Sequence, residues 1–361
     1  MDITSDLHVI ENRPLLSPAF IKSELPIDTE VAQLVTQTRD RIRNILEGKD
    51  KRVLVVVGPC SIHDVVAAQE YGERLAKLRS QYQDRLEIVM RVYFEKPRTT
   101  VGWKGLINDP NLDNSYDINS GLRIARKLLL DLAKIGLPAA TELLDPITPQ
   151  YIADLICWTA IGARTTESQI HRQMASGLSM PVGYKNGTDG SFSAAINAML
   201  TAKISHHFLG INQDGLASIV KTTGNPDGHL VLRGGKAKPN YEASDIEAAV
   251  TALKNKAMNS RMMIDCSHGN SRKDYLKQAT VLNNINQQIK AGTQNIVGVM
   301  IESHLIAGNQ SIPKDGKPAV YGQSITDACV DWETTEVMMS DLANAIADGR
   351  PEVKQSMASA I

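Results

Sequence analysis

Eight short apolar runs, rich in valine and isoleucine, recur along the 361-residue chain and alternate with helix-like segments. The runs are 53–57, 86–92, 137–143, 156–163, 181–184, 229–232, 262–265 and 296–301. They are apolar on both faces, as expected of strands that are buried on both sides of a parallel sheet. Segments with helical spacing lie between most of them, including 65–79, 122–134, 149–155 and 246–256. Eight strand-then-helix units favour an α/β fold of the closed (β/α)8 TIM barrel type over an open doubly wound sheet.

Two segments are additional to this repeat. Residues 1–48 precede the first strand and contain a helix-like stretch over 31–46, which predicts a regulatory or oligomerisation arm. Residues 206–220 contain two apolar runs that flank Asp214-Gly215, a pair typical of β-hairpin turns. The predicted domains are therefore the arm at 1–48 and a barrel at 49–361 that carries an inserted hairpin at about 205–220.

Composition excludes several classes of protein. The 39 Lys and Arg residues against 40 Asp and Glu give a net charge of −1, so nothing in the overall charge favours nucleic acid or an anionic membrane. No apolar run approaches the length of a membrane span, and the acidic N-terminus lacks the apolar region of a secretory signal. The four cysteines lie far apart, which fits reduced thiols rather than a zinc ribbon or a disulfide scaffold. We expect a cytoplasmic protein that binds neither nucleic acid nor membrane.

The residues that follow the predicted strands include a set of cations. In this fold the active site lies at the carboxyl ends of the strands and in the loops that follow them. The cations at this rim are Arg91, Lys96, Arg98, Arg164, Lys185 and Arg233. Such a set repels itself unless an anion is bound, and Arg and Lys suit phosphate and carboxylate groups. The rim therefore predicts a polyanionic substrate.

A second group at the same rim offers metal ligands: Cys60, His268, Glu302 and Asp327. A thiolate, an imidazole and two carboxylates suit Mn²⁺, Fe²⁺, Co²⁺ or Zn²⁺ better than Mg²⁺ or Ca²⁺. Each residue taken singly is more often structural, so the hypothesis depends on their convergence on one face. His171 lies in a neighbouring loop, where direct function and a structural role are both open.

The motifs at the strand ends identify a family. GPCSIHD, IGARTTESQIHR, PVGYKNGTDG, LRGGK, DCSHGNS and IESHLIAGNQ together resemble the type I 3-deoxy-D-arabino-heptulosonate-7-phosphate (DAHP) synthases. The resemblance covers nearly the whole chain, including the arm and the hairpin. It implies a metal-dependent condensation of phosphoenolpyruvate with D-erythrose 4-phosphate and water, which gives DAHP and phosphate. This reaction opens the shikimate pathway to chorismate and the aromatic amino acids.

The resemblance also assigns roles to residues. It makes Cys60, His268, Glu302 and Asp327 the ligands of one divalent metal ion. It places phosphoenolpyruvate among Arg91, Lys96, Arg164, Lys185 and Arg233, and the phosphate of the sugar at Arg98 and Thr99. It leaves Lys96 as a candidate general acid toward the nascent alkoxide, and we keep His171 as a second candidate catalytic residue.

Regulation and assembly are further implications of the resemblance. In the family an arm and an inserted hairpin form a pocket for an inhibitory aromatic amino acid, and the matching positions here are Pro149, Gln150, Ser179, Gly210 and Ile211. The segments SGLSMPVG and FLGINQDG are similar to the tyrosine-sensitive subgroup, although phenylalanine- and tryptophan-sensitive relatives share most of the sequence. A homodimer or homotetramer is expected.

Two alternatives remain at this point. One is a related synthase that joins phosphoenolpyruvate to another aldose phosphate, and the KPRT motif, the arm and the hairpin argue against it. The other is a catalytically silent phosphate-binding regulator, which a missing metal ligand or a missing rim cation would have indicated.

Overall fold

A computed structural model describes residues 4–98, 100–313 and 316–350 of the chain. Two helices, α1 (Pro18–Glu24) and α2 (Thr29–Glu47), precede the first strand. The elements that follow in chain order are β1 (Val53–Gly58), α3 (Val65–Gln81), β2 (Leu86–Arg91), α4 (Ile118–Lys134), β3 (Ala139–Glu142), α5 (Pro149–Ile152), β4 (Ile156–Ile161), α6 (Gln169–Ser176), β5 (Val182–Lys185), α7 (Ser193–Ala202), β6 (His207–Ile211), β7 (Ala217–Lys221), β8 (Gly228–Leu232), α8 (Ala243–Lys254), β9 (Met262–Asp265), α9 (Lys277–Lys290), β10 (Ile296–Glu302), β11 (Ile306–Asn309), β12 (Gln323–Ser324) and α10 (Trp332–Gly349).

The predicted barrel is confirmed. Strands β1, β2, β3, β4, β5, β8, β9 and β10 form a closed parallel barrel in that order, and β1 pairs with both β2 and β10. Each of the eight apolar runs of the sequence supplies one barrel strand. The strand residues are almost all buried, because helices cover the outer face and side chains fill the interior.

Helix α2 closes the amino-terminal end of the barrel. It begins where the Asp28 carboxylate accepts a hydrogen bond from the Val31 N–H, and it ends at Gly48, whose φ of 76° favours glycine. Its apolar face, with Ile42 and Ile45, joins the cluster that fills the barrel interior. The opposite, carboxyl-terminal end is therefore the one that is left for a ligand.

The inserted hairpin lies outside the barrel, because β5 pairs directly with β8 while β6 and β7 pair only with each other among the described residues. Asp214-Gly215 lies within a five-residue connection rather than forming a two-residue turn, and the Asn212 N–H donates to the Leu216 carbonyl. The arm meets this connection, since the Ala19 N–H donates to the carbonyl of Gln213 at 2.8 Å.

Some helix boundaries differ from the sequence-based prediction. Helix α4 begins at Ile118 rather than near 122, because the Asp117 carboxylate accepts from the Ser120 N–H and caps an earlier turn. Helix α5 ends at Ile152 and a single 3₁₀ turn completes the predicted segment to Leu155. Within the described ranges, no helix combines the length and apolar character that crossing a membrane requires.

Candidate active site

A cavity of about 260 Å³ opens at the carboxyl ends of the barrel strands. All six predicted rim cations line it, together with two of the four predicted metal ligands: Arg91, Lys96, Arg98, Arg164, Lys185, Arg233, His268 and Asp327. These residues come from loops far apart in the sequence, and the parallel barrel brings them together because all its strands end at one rim. Thr99 lies outside the described residues.

Three of the predicted metal ligands form a compact group beside the cavity. One ligand atom each of Cys60, Glu302 and Asp327 lies within 4.8 Å of the others. Cys60 follows β1 and Glu302 ends β10, and these adjacent strands pair with Gly58 opposite Glu302. Cys60 and Glu302 are buried, whereas Asp327 is exposed toward the cavity. A buried thiol among carboxylates is a donor set that suits a divalent transition metal.

His268 lies at the edge of this group. Its Nε2 is 3.9 Å from Oε1 of Glu302, and its Nδ1 is 2.9 Å from Oδ2 of Asp265. The backbone of His268 has a φ of 54°, a left-handed conformation that is unfavourable for a side chain with a Cβ. The protein therefore holds this imidazole in a strained position that directs Nε2 toward the other predicted ligands.

Arg91 connects the metal group to the cavity. Its guanidinium is buried, donates to Glu302 Oε1 at 2.7 Å, and donates to the backbone carbonyls of Pro59 and Cys60. It also lies 3.6 Å from the ring centre of Tyr93, a cation–π contact. Burial raises the pKa of Glu302, but the charges of Arg91, His268 and Lys96 outweigh burial and lower that pKa to about 2. Glu302 is therefore ionised at neutral pH, as a metal ligand must be.

Lys96 extends over Cys60. Its Nζ lies 3.2 Å from both the Sγ and the carbonyl oxygen of Cys60. Burial lowers the pKa of Lys96, but the neighbouring acidic groups Cys60, Glu302 and Asp327 together outweigh burial, and the net direction is upward. Burial and the charge of Glu302 raise the pKa of Cys60. Lys96 thus keeps its proton at the boundary between the metal group and the cavity.

Lys185 lies between two carboxylates. Its Nζ is 3.3 Å from Asp265 and 3.7 Å from Glu142, and the side chains of all three are buried. Burial raises the pKa of Asp265, but the charges of His268 and Lys185 outweigh burial and hold this pKa well below its usual range. This carboxylate therefore carries a negative charge beneath the cavity.

Three other rim cations have no such counter-ion. Within the described ranges, Arg98, Arg164 and Arg233 make no ion pair with a carboxylate, although Arg233 is partly buried. Burial lowers the pKa of Arg233, and the neighbouring Arg164 adds to that effect. An anion in the cavity would offset the burial of Arg233 and its repulsion by Arg164.

A second cavity adjoins the first. It has a volume of about 410 Å³, shares Arg233, His268 and Lys273 with the first cavity, and adds Lys236, Lys238 and Arg272. Its lining contains no carboxylate among the described residues. The surface beside the candidate active site is therefore strongly cationic.

The structure separates His171 from this arrangement. His171 is not among the residues that line the first cavity, and both its ring nitrogens have partners within the protein. Nδ1 lies 2.8 Å from the Ser168 hydroxyl and Nε2 lies 2.8 Å from the Leu144 carbonyl. Burial lowers its pKa, so the ring is neutral at pH 7. These contacts anchor His171 at the start of α6, and its catalytic role stays a prediction.

Sequence reasoning missed Asp265. It ends an apolar strand-like run, and its position matches that of the other strand-end residues at the rim. That position was the available signal, but we assigned the strand end to His268, three residues further on.

The five predicted effector residues also lie together. Pro149, Gln150, Ser179, Gly210 and Ile211 all line a separate cavity of about 200 Å³ between α5 and the hairpin. Lys22 of the arm lines it as well, and its Nζ donates to the side chain of Gln213, whose amide donates to Gln150. Lys22 and Asp154 provide one cation and one carboxylate in this lining, which match the charges of a free amino acid.

The chain is similar to known proteins over most of its length. Residues 24–340 match the model of the DAHP synthetase I family. Over 94% of its length the chain is 55% identical to the Phe-sensitive phospho-2-dehydro-3-deoxyheptonate aldolase of Escherichia coli strain K12, and covers 97% of that protein. It is 51% identical, over the same share of its length, to the Tyr-sensitive enzyme of that organism, covering 96% of it. A solved structure of the phospho-2-dehydro-3-deoxyheptonate aldolase from Francisella tularensis SCHU S4 superposes with a TM-score of 0.92 at 51% identity, with 95% of this chain and 99% of that chain covered.

Proposed function

Because the chain belongs to the DAHP synthetase I family, we propose that the cavity at the carboxyl ends of its barrel strands binds both substrates beside a divalent metal. The enzyme is a phospho-2-dehydro-3-deoxyheptonate aldolase, and it joins phosphoenolpyruvate to D-erythrose 4-phosphate in the first step of aromatic biosynthesis. In the reaction, C3 of phosphoenolpyruvate bonds to the aldehyde carbon, water adds at C2, and the C2–O bond to phosphate breaks.

Phosphoenolpyruvate is assigned to the inner cations. Its phosphate and carboxylate together need several positive partners, and Arg164 and Arg233 have no carboxylate of their own in the described part of the chain. Three cations lie deeper and position the ligand relative to the metal group: Lys185, Arg91 and Lys96. Arg forks and Lys point charges in a partly buried site bind such dianions strongly. Arg98, with Thr99, is assigned to the phosphate of the sugar.

The metal is assigned to Cys60, Glu302 and Asp327, with Nε2 of His268 as the fourth ligand. The fit rests on the gathered donor atoms and on the low pKa of Glu302. A divalent metal bound there acts as a Lewis acid on a carbonyl oxygen. The donor set accommodates Mn²⁺, Fe²⁺, Co²⁺ or Zn²⁺.

Lys96 is assigned as the proton donor to the aldehyde oxygen. It keeps its proton in the resting protein, and it lies where the metal group meets the cavity. A protonated amine at this position neutralises the developing alkoxide as the carbon–carbon bond forms. Arg164 and Arg233 stabilise the charge of the departing phosphate.

The observation that carries this proposal is the convergence of unpaired cations next to the thiol–carboxylate group. Cys60→Ala tests it, with phosphate release measured after metal removal and after restoration. We expect a folded protein whose metal-dependent activity is lost. Cys157→Ala is the matched control, because Cys157 is also buried but lies in β4, away from the metal group. Full activity of Cys60→Ala would overturn the metal assignment.

The cavity beside the hairpin is proposed as the effector site, with tyrosine as the inhibitor. An aromatic amino acid fits the apolar wall of Pro149, Phe208 and Ile211, and its carboxylate fits Lys22. Inhibition requires that the effector bind two conformations with different affinity. Parallel assays with tyrosine, phenylalanine and tryptophan test this: tyrosine should inhibit at concentrations at which the other two do little. Stronger inhibition by phenylalanine or tryptophan would refute the choice of tyrosine.

A homodimer or homotetramer in the cytoplasm completes the proposal. The outer face of the hairpin exposes the cross-strand pair Leu209 and Ile219, which are 89% and 78% exposed. Such an apolar pair is typical of a surface that another chain covers. Light scattering of wild type and of Leu209→Ser tests this, with a shift of the variant toward monomer expected.

A further inference from the structure

Asp265 lies between the two halves of the candidate site. It is the last residue of β9, it is 0% exposed, and one of its oxygens, Oδ1, accepts a hydrogen bond from the Ser267 N–H. The other oxygen, Oδ2, lies 2.9 Å from His268 Nδ1 and 3.3 Å from Lys185 Nζ. One buried carboxylate oxygen therefore faces a proposed metal ligand and a proposed phosphoenolpyruvate ligand at the same time.

We propose that Asp265 is the positioning residue that sets His268 for metal binding and links the metal site to the phosphoenolpyruvate site through Lys185. This inference rests on the proposed function. Metal-bound histidines usually donate their second ring N–H to a carboxylate or a carbonyl, which fixes the tautomer and the ring orientation. Here Nδ1 faces Asp265, so Nε2 is the nitrogen that remains for a metal, and Nε2 is the atom directed toward Glu302.

The two contacts are unequal. Lys185 has a second carboxylate in reach, since Glu142 lies 3.7 Å away, whereas Asp265 is the acidic partner of Nδ1 among the described residues. The two atoms Oδ2 and Nδ1 approach closely, although neither makes a hydrogen bond of good geometry. Contacts of this kind often align only when the site is loaded. Loss of the Asp265 charge should therefore weaken metal binding more than it weakens phosphoenolpyruvate binding.

Asp265→Asn tests the inference, with Glu142→Gln as the matched control. Both variants remove one buried negative charge beside Lys185, but only Asp265 contacts a proposed metal ligand. Metal-free protein is titrated with Co²⁺ against a competing chelator, and the thiolate-to-cobalt absorption reports binding at Cys60. We expect Asp265→Asn to weaken Co²⁺ binding by about 10- to 100-fold, the range for loss of such outer partners. Glu142→Gln should leave Co²⁺ affinity unchanged and raise the KM for phosphoenolpyruvate.

The outcomes separate this inference from the proposed function. Wild-type Co²⁺ affinity in a folded Asp265→Asn protein would overturn the role of Asp265, while the dependence of binding on Cys60 would still stand. Absence of Cys60-dependent Co²⁺ binding in wild type would instead overturn the metal site itself. If Asp265→Asn does not fold, the wild-type protein provides the test. Nitrogen NMR of the metal-free protein, at a pH at which the His268 ring is neutral, should show the proton on Nδ1. A proton on Nε2 in the metal-free, neutral ring would contradict the proposal.

Discussion

The two ends of the barrel differ in how some of their charged side chains are paired. At the amino-terminal end the carboxylate of Glu87 is 1% exposed and is surrounded by Arg41, Arg52 and Arg79, with N–O distances of 2.7, 2.9 and 3.2 Å. At the carboxyl-terminal end Arg164 and Arg233 face a cavity without a carboxylate partner in the described ranges. Glu87 is neutralised from within the protein, whereas Arg164 and Arg233 are left to be neutralised by a ligand.

Two buried glutamates that lie close together in the sequence also differ in their hydrogen-bond donors. Glu87 accepts from three guanidinium groups, whereas Glu95 accepts from the backbone N–H groups of Leu144 and Asp145 and from the Thr148 hydroxyl. Charged partners keep a buried carboxylate ionised, and neutral donors do so less well. Burial, together with the nearby charge of Asp145, raises the pKa of Glu95 to about 7.

The largest effect is expected at the amino-terminal end. Glu87→Ala leaves three arginines without their common partner, and breaking such a buried pair costs about 3–5 kcal/mol of the free energy of unfolding. The loss should appear in urea unfolding, while kcat/KM of the folded fraction remains at the wild-type value. A large loss of kcat/KM with unchanged stability would remove the distinction between the two ends.

Removal of a cation at the carboxyl-terminal end should lower activity and leave stability intact. Arg164→Ala is expected to lower kcat/KM for phosphoenolpyruvate by about 100-fold, or about 3 kcal/mol, because a charge-assisted contact to the ligand is lost. Stability should be unchanged or slightly higher, since Arg164 and Arg233 repel each other. Lys254→Ala, an exposed cation at the end of α8, is the control and should retain wild-type kinetics. If Arg164→Ala destabilises the fold without affecting kcat/KM, the cation is structural.

Glu95 predicts a pH dependence of stability. Its pKa rises from about 4.5 in the unfolded chain to about 7 in the folded protein. A raised carboxyl pKa stabilises the fold fully below pH 4.5 or so, and this stabilisation is lost as the pH rises through 7, by up to about 3 kcal/mol. The stability of wild type relative to Glu95→Gln should therefore fall between pH 5 and pH 8 in urea unfolding. A difference that is constant over this range would show that Glu95 keeps an ordinary pKa.

The smallest effect on activity is expected in the second, cationic cavity. Lys236 lines the second cavity and makes no ion pair in the described part of the chain. Lys236→Ala should lower kcat/KM at low ionic strength by about threefold, because one exposed charge contributes less than about 1 kcal/mol. The difference should disappear in high salt, where the charge is screened. A salt-independent difference would indicate direct contact with the substrate instead of attraction over a distance.

Local sequence patterns predicted a large part of this arrangement. Runs such as 53–57 and 262–264 are apolar because both faces of each strand are buried. This composition can be recognised in the sequence alone, without knowing which strands are adjacent. A strand end then determines which residue reaches the rim, so Arg91, Lys185 and Arg233 could be placed near one another from strand positions alone. The motifs at the strand ends then indicated the family to which the chain belongs.

Other features depended on contacts that no local pattern specifies. The position of His171 relative to the cavity is one such feature, because its Nε2 partner, the Leu144 carbonyl, follows the third strand and is 27 positions away. Asp265 was missed because its importance comes from Lys185 and His268, of which Lys185 is 80 positions away.

The sequence by itself determined the barrel, the chemistry available at its rim and a net charge of only −1. The tertiary structure decided which charges are paired. Register between β1 and β10 places Glu302 beside Cys60, although they are separated by most of the chain, and α2 brings Arg41 to Glu87. Pairing energy depends on distances of a few ångströms and on burial, and both are set only when remote segments pack together.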